Sequence, residues 1–288
     1  MATDNLTKNE RREAAREKAK ENRLKEKKQQ RRNRWFLQGG IALGVIAIAA
    51  VVLVIVTSST SGSANIASVA RGPKNMVSDG ILFTQGQGNT VKAVTTPAIK
   101  ANGTPTVTKP KPGVANIVTY VDLQCPYCQQ FEATNDTQIQ KMVANGTATL
   151  EVHPIAILDA SSLGNLYATR ADNALACVAE YKPNSFLAVT SALYAKQPAE
   201  NTHGMSDHAL INIVKNAGAN DTSITDCISA QKFKNWTKAS SQRVMTQPLP
   251  NSSLPSLTGT PTILVNGKQY TGVLTDTNTF ASFVKANS

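Results

Sequence analysis

Two cysteines separated by two residues, Cys125 and Cys128, are the residues whose spacing most favours chemistry in this chain. The thiolate of a cysteine attacks disulfides, and a second thiol at this spacing can close a small disulfide ring. The pair therefore predicts thiol–disulfide exchange, with an exposed Cys125 as the nucleophile and Cys128 as the resolving thiol. A zinc site and an inert structural disulfide are the alternatives for such a pair.

The elements around the pair predict how it is positioned. Residues 114–121 are mostly apolar and β-branched, which is typical of a buried strand. Pro126 suits the first position of a helix, and apolar residues then recur at helical spacing as far as Val143. The cysteines would then lie at a strand-to-helix junction, where free backbone N–H groups stabilise a thiolate and lower its pKa.

A second segment, residues 258–267, combines a Thr-Pro pair, a short apolar strand and an Asn-Gly turn. A cis bond between Thr260 and Pro261, placed beside the reactive cysteine, would present the backbone groups of Thr260 to an extended peptide. A trans proline that begins an edge strand is the alternative interpretation of this segment.

Composition and charge narrow the function classes. The chain has 288 residues and is 41% hydrophobic, which is enough apolar material for a folded core. Its net charge of +11 is concentrated at one end, since residues 1–34 hold 13 Lys and Arg against six Asp and Glu. Proteins that bind nucleic acid carry such charge on a folded face. The sequence therefore predicts no nucleic-acid partner.

The segment after this basic tail predicts a membrane anchor. Residues 35–56 contain one polar side chain, Gln38, and no charge, and at about 1.5 Å per residue they can cross a hydrocarbon core of about 30 Å. The positive-inside rule places the basic end in the cytoplasm and the rest of the chain outside. A cleaved signal peptide is the alternative, but both its charged and its apolar regions would be unusually long.

The chain therefore divides into four predicted regions. They are a basic cytoplasmic tail at 1–34, a transmembrane helix at 35–57, a linker with a short hairpin at 58–113, and a folded domain at 114–288. The two strands of the hairpin are predicted at 81–83 and 91–94, separated by a glycine-rich stretch.

The two motifs, YVDLQCPYC at 120–128 and GTPTILVNG at 259–267, together resemble the thioredoxin superfamily and, within it, the DsbA-like disulfide oxidoreductases. The anchor and the second pair of cysteines resemble the DsbA-like proteins of actinobacteria. This resemblance implies an α/β, thioredoxin-like fold over residues 114–288. It also implies a helical insertion at about 156–245 and a single N-terminal transmembrane helix before the domain.

The resemblance also implies roles for individual residues. Cys125 and Cys128 would be the catalytic pair, and Cys177 and Cys227 would form a structural disulfide in the insertion. No cofactor and no metal are implied. The residues that would shape the active site lie between the cysteines and in the proline loop, namely Pro126, Tyr127, Thr260 and Pro261.

Two positions depart from the family pattern. Many superfamily members carry a buried acid six residues before the first cysteine, where this chain has Thr119; Asp122 is nearer, in a different register. The strongly oxidising bacterial enzyme has a histidine before its second cysteine, where this chain has Tyr127. The reduction potential is therefore left open by the sequence.

The function implied is an extracytoplasmic oxidoreductase that introduces disulfides into exported proteins. Its partners would be reduced exported proteins and a quinone-coupled membrane protein that reoxidises the pair. A disulfide reductase or isomerase is one alternative. A non-catalytic surface binding module, with both cysteine pairs structural, is another, and the exposure and pKa of Cys125 discriminate between it and an enzyme.

Overall fold

The computed structural model describes residues 71–288. The predicted cytoplasmic tail (1–34), transmembrane helix (35–57) and first part of the linker lie outside the described residues. No helix among residues 71–288 has the length and hydrophobicity that a membrane span requires.

A mixed six-stranded sheet lies at the centre of the described residues, in the order β2-β1-β4-β3-β5-β6. Strands β3 and β4 are parallel, and every other neighbouring pair is antiparallel. All seven residues of β3 and of β4 are buried, as expected for central strands covered on both faces. The strands are β1 (Ile81–Gln85), β2 (Val91–Ala93), β3 (Ala115–Val121), β4 (Ala148–Pro154), β5 (Thr262–Val265) and β6 (Lys268–Gln269).

The predicted hairpin is present, but its predicted place in a linker is wrong. Strands β1 and β2 pair as an antiparallel hairpin, and β1 also pairs with β4, with Phe83 opposite Leu150. Both Ile81 and Phe83 are buried in the main core. The hairpin therefore completes the central sheet, and the folded domain begins before residue 114. The alternation of buried and half-buried residues in β1 is too short a pattern to reveal this pairing from sequence.

Seven α-helices surround the sheet in the described part of the chain. The helix α1 connects β3 to β4, as a parallel pair of strands requires, and α7 packs against α1 at the C-terminal end of the chain. The five helices between them form the predicted insertion. The helices are α1 (Pro126–Ala144), α2 (Tyr167–Tyr181), α3 (Phe186–Ala195), α4 (Asp207–Val214), α5 (Thr222–Ser229), α6 (Lys234–Thr246) and α7 (Thr277–Ala286).

A disulfide joins two helices of the insertion. Cys177 of α2 and Cys227 of α5 are bonded, with their Cα atoms 5.9 Å apart. Both cysteines are buried, and the neighbouring Phe233 and Trp236 are buried in the same core. The structure thus contains the disulfide that the resemblance implies.

Candidate active site

The cysteine pair lies at the junction between β3 and α1. The strand ends at Val121, and Cys125 is the N-cap residue of α1, with Pro126 at its first position. The ring of proline fixes a helical φ angle and costs no hydrogen bond there, because the first N–H groups of a helix have no partner within it. The predicted strand-to-helix junction is therefore present.

Both thiols are free in the structure. The pKa of Cys125 falls from 9.0 to about 6, mainly because the Cys128 thiol donates a hydrogen bond to its thiolate. The Thr260 side chain and the backbone N–H groups of Cys128 and Tyr127 also stabilise the thiolate, against the opposing effect of burial. Cys125 is therefore largely a thiolate at neutral pH, which is the reactive form.

The second cysteine has the opposite character. Cys128 is fully buried, and desolvation is the main reason why its pKa lies well above the ordinary value. The hydrogen bond to Cys125 and the negative charges of Cys125 and Asp122 raise it further. The pair therefore consists of one thiolate and one protonated thiol, which suits a nucleophile and a resolving group.

The proline loop lies against the nucleophile. The bond between Thr260 and Pro261 is cis, and β5 begins immediately after it. The carbonyl oxygen of Thr260 lies 3.3 Å from the sulfur of Cys125 and accepts a hydrogen bond from its protonated form. The structure thus brings together two motifs that are 135 residues apart in sequence.

The predicted exposure of Cys125 is wrong. Only 4% of the residue is accessible, since the Thr260 carbonyl covers its sulfur and the side chain packs in the main core. The residue that faces solvent is Tyr127, which is 59% exposed between the two cysteines.

Asp122 fixes the loop before the cysteines. Its carboxylate is fully buried and accepts backbone N–H groups from Gln124 at 2.7 Å, Ile157 at 2.8 Å and Leu158 at 2.9 Å. Desolvation raises its pKa to about 7, although these N–H groups oppose the rise. Asp122 thus holds the loop after β3 to the loop after β4, beside both thiols.

Sequence reasoning missed the residues that hold this loop from the insertion side. Gln197, just beyond α3, donates its side-chain amide to the carbonyls of Leu123 at 2.9 Å and Cys125 at 3.0 Å. The hydroxyl of Tyr194 donates to the carbonyl of Asp122 at 3.3 Å. A polar residue that lies about 70 positions from the motif carries no spacing signal, so only the fold reveals these contacts.

His153 is a packed residue. It lies near the end of β4, stacks on Tyr120 with ring centroids 4.6 Å apart, and has its Nε2 atom 3.3 Å from Glu151. At the position of the family's buried acid, Thr119 is a buried residue in the middle of β3.

The chain is similar to a known protein family. A sequence model of the family described as thioredoxin matches residues 111–286, which is more than half of the chain. No curated protein is significantly similar to the chain.

Several solved structures resemble it. DsbA from Mycobacterium tuberculosis is 25% identical, with a TM-score of 0.54, over 73% of this chain and 92% of that one. The disulfide bond oxidoreductase DsbG from the same organism is 28% identical, with a TM-score of 0.52, over 62% of this chain and 81% of that one. MdbA, a thiol–disulfide oxidoreductase from Corynebacterium diphtheriae, shares the fold at 18% identity, with a TM-score of 0.54, over 78% of this chain and 97% of that one. This chain therefore belongs to the thioredoxin family and is a DsbA-like thiol–disulfide oxidoreductase.

Proposed function

We propose that this oxidoreductase acts as an oxidase, which introduces disulfides into exported proteins through Cys125 and Cys128. The observation that carries the proposal is the position of Cys125 at the N-terminus of α1, next to Cys128, which lowers its pKa to about 6. A stabilised thiolate stabilises the reduced pair, and a stable reduced pair makes its disulfide a stronger oxidant. The value lies between that of thioredoxin, about 7, and that of DsbA, about 3.5.

The reaction starts from the oxidised pair. A substrate thiolate attacks the sulfur of Cys125 and forms a mixed disulfide, and Cys128 leaves as a thiolate that takes up a proton. A second substrate thiolate then attacks the substrate sulfur of the mixed disulfide and releases Cys125 as a thiolate. The substrate loses two electrons and the cysteine pair gains them, so an external oxidant must restore the disulfide. A quinone-coupled membrane protein is proposed for that step.

The proposed location follows from the sequence outside the described residues. An uncleaved anchor at 35–57, with the basic tail in the cytoplasm, would hold the catalytic domain on the extracytoplasmic side, where disulfides persist. Protease treatment of intact cells tests this arrangement. The catalytic domain is expected to be digested from outside, and its full protection would contradict the proposed topology.

The proposed direction is tested by oxidative refolding. A stoichiometric amount of the oxidised full-length chain is mixed with a reduced model protein whose native form requires disulfides, and the free thiols of each protein are counted separately over time. Rapid loss of thiols from the model protein, matched by reduction of the catalytic pair, is expected. Preferential reduction of insulin disulfides by the dithiol form, without oxidation of the reduced model protein, would instead indicate a reductase.

A further inference from the structure

The carbonyl groups of the catalytic loop are held by side chains of the helical insertion. Gln197 donates to the carbonyls of Leu123 and Cys125, and Tyr194 donates to the carbonyl of Asp122. In return, the amide of Gln129 in α1 donates to the carbonyl of Tyr194 at 2.6 Å. These bonds join the insertion to the start of α1 on both sides of the catalytic cysteine.

Gln197 occupies a particular place among these contacts, because it bonds the carbonyl of the catalytic residue itself. The same oxygen of Cys125 also accepts the backbone N–H of Gln129 at 3.2 Å, which is the first hydrogen bond of α1. Two donors thus converge on one carbonyl at the N-cap. They fix the orientation of the peptide that follows Cys125, whose backbone is extended, with φ −78° and ψ 119°.

We expect this orientation to affect the stability of the thiolate. The N–H groups of Tyr127 and Cys128 stabilise the Cys125 sulfur only while the N-cap residue keeps its position above the first turn. Reactive side chains keep such geometry when neighbouring hydrogen bonds lock them in place. Gln197 is itself held where α3 ends, since its backbone N–H donates to the carbonyl of Tyr194 at 3.1 Å.

We propose that Gln197 is a positioning residue for the exchange reaction, which orients the N-cap peptide of Cys125 toward the N–H groups of α1. The proposal rests on the proposed function of Cys125 as the nucleophile. Through Gln197, the helical insertion contributes directly to the reactivity of a cysteine that belongs to the thioredoxin-like part of the fold.

The test uses two substitutions in the full-length chain. Gln197→Met keeps the approximate length of the side chain but has no donor, and Gln197→Glu places a carboxylate against two carbonyl oxygens. Gln138→Ala is the matched control, since Gln138 also ties α1 to a backbone carbonyl, that of Thr277, but lies away from the cysteines. The pKa of Cys125 is read from the ultraviolet absorbance of its thiolate, and its reactivity from alkylation by iodoacetamide near pH 6.

Both Gln197 variants are expected to raise the pKa of Cys125 and to slow its alkylation on the order of five-fold, the usual size of one lost hydrogen bond. Gln138→Ala is expected to keep the wild-type pKa and rate. A purely structural role would lower the unfolding temperature of the Gln197 variants without changing the pKa. That result, in either variant that folds, would overturn the inference.

Failure of this inference is distinguishable from failure of the proposed function. The same preparations are assayed for exchange with oxidised glutathione. A wild-type chain that exchanges, together with a Gln197 variant of unchanged pKa and rate, refutes the positioning role alone. A wild-type chain that shows no exchange refutes the proposed function, whereas the pKa comparison still decides whether Gln197 orients Cys125.

Discussion

The two pairs of cysteines in this domain are equally well buried but differ in chemistry. Cys125 is 4% exposed and Cys128 is fully buried, whereas Cys177 and Cys227 are 0% and 3% exposed. The first two are free thiols at the start of a helix, and the second two are bonded between two helices.

Exposure therefore does not distinguish the reactive pair from the structural one. What differs is the access of the sulfur to unsatisfied backbone N–H groups. Cys125 is the N-cap residue of α1, and the N–H groups of Tyr127 and Cys128 in the first turn lower the pKa of its thiol. Cys177 lies within α2 and Cys227 within α5, where N–H groups are used in the helical ladder.

The largest expected effect separates the pairs by activity. Cys125→Ser is expected to reduce thiol–disulfide exchange to the uncatalysed rate, because serine is not a redox-active nucleophile. The double variant Cys177→Ser/Cys227→Ser is expected to retain most of the activity. Exchange with glutathione measures both. Comparable losses in the two proteins would mean that the pairs are not chemically distinct.

The second effect separates them by stability. Removal of the Cys177–Cys227 bond, which closes a loop with a sequence separation of 50 residues, is expected to cost roughly 4 kcal/mol in the chain-entropy model. Unfolding of the double variant in urea measures the cost, with the reduction potential of the catalytic pair as the control. An unchanged free energy of unfolding would show that the bond is not structural.

The third effect is a pH dependence that belongs to the catalytic pair alone. Because the pKa of Cys125 is lowered from 9.0 to about 6 on folding, the unfolded reduced chain binds more protons between these values. The stability of the reduced protein relative to Cys125→Ser should therefore rise with pH in this range, by about 2 kcal/mol between pH 6 and pH 7.5. Below pH 6 the two proteins should converge. Urea titrations at several pH values measure the difference, and a flat profile would contradict the lowered pKa.

The smallest effect tests whether backbone groups, rather than side chains, stabilise the thiolate. Tyr127→Pro removes an N–H donor from the first helical turn, where that N–H has no partner within the helix, and should raise the pKa of Cys125 by about one pH unit. Tyr127→Ala keeps that N–H and should leave the pKa unchanged. The thiolate absorbance of both variants measures this, and an equal rise in the two would assign the stabilisation to the tyrosine ring.

Local patterns in the sequence were sufficient to predict the parts of the site that are continuous in the chain. The apolar strand, Pro126 and the spacing of the cysteines correctly predicted the junction of β3 and α1. The helical insertion was implied by the resemblance to the DsbA-like proteins.

Contacts between distant segments could not be predicted in this way. The pairing of β1 with β4 depends on three-dimensional packing. Because of this pairing, the hairpin that was predicted in the linker belongs to the sheet. The same holds for the contact between the Cys125 sulfur and the Thr260 carbonyl, and for the hydrogen bond that Gln197 donates to the Cys125 carbonyl. Asp122 is a further case, since its partners Ile157 and Leu158 lie beyond the next strand.

The reduction potential of the Cys125–Cys128 pair, measured against glutathione in the full-length chain and in Cys177→Ser/Cys227→Ser, tests the central claim most directly. A stabilised Cys125 thiolate predicts the same value in both proteins, between about −270 mV for thioredoxin and about −120 mV for DsbA. A potential at or below about −270 mV would contradict the proposed oxidase, because the pair would then be a stronger reductant than thioredoxin.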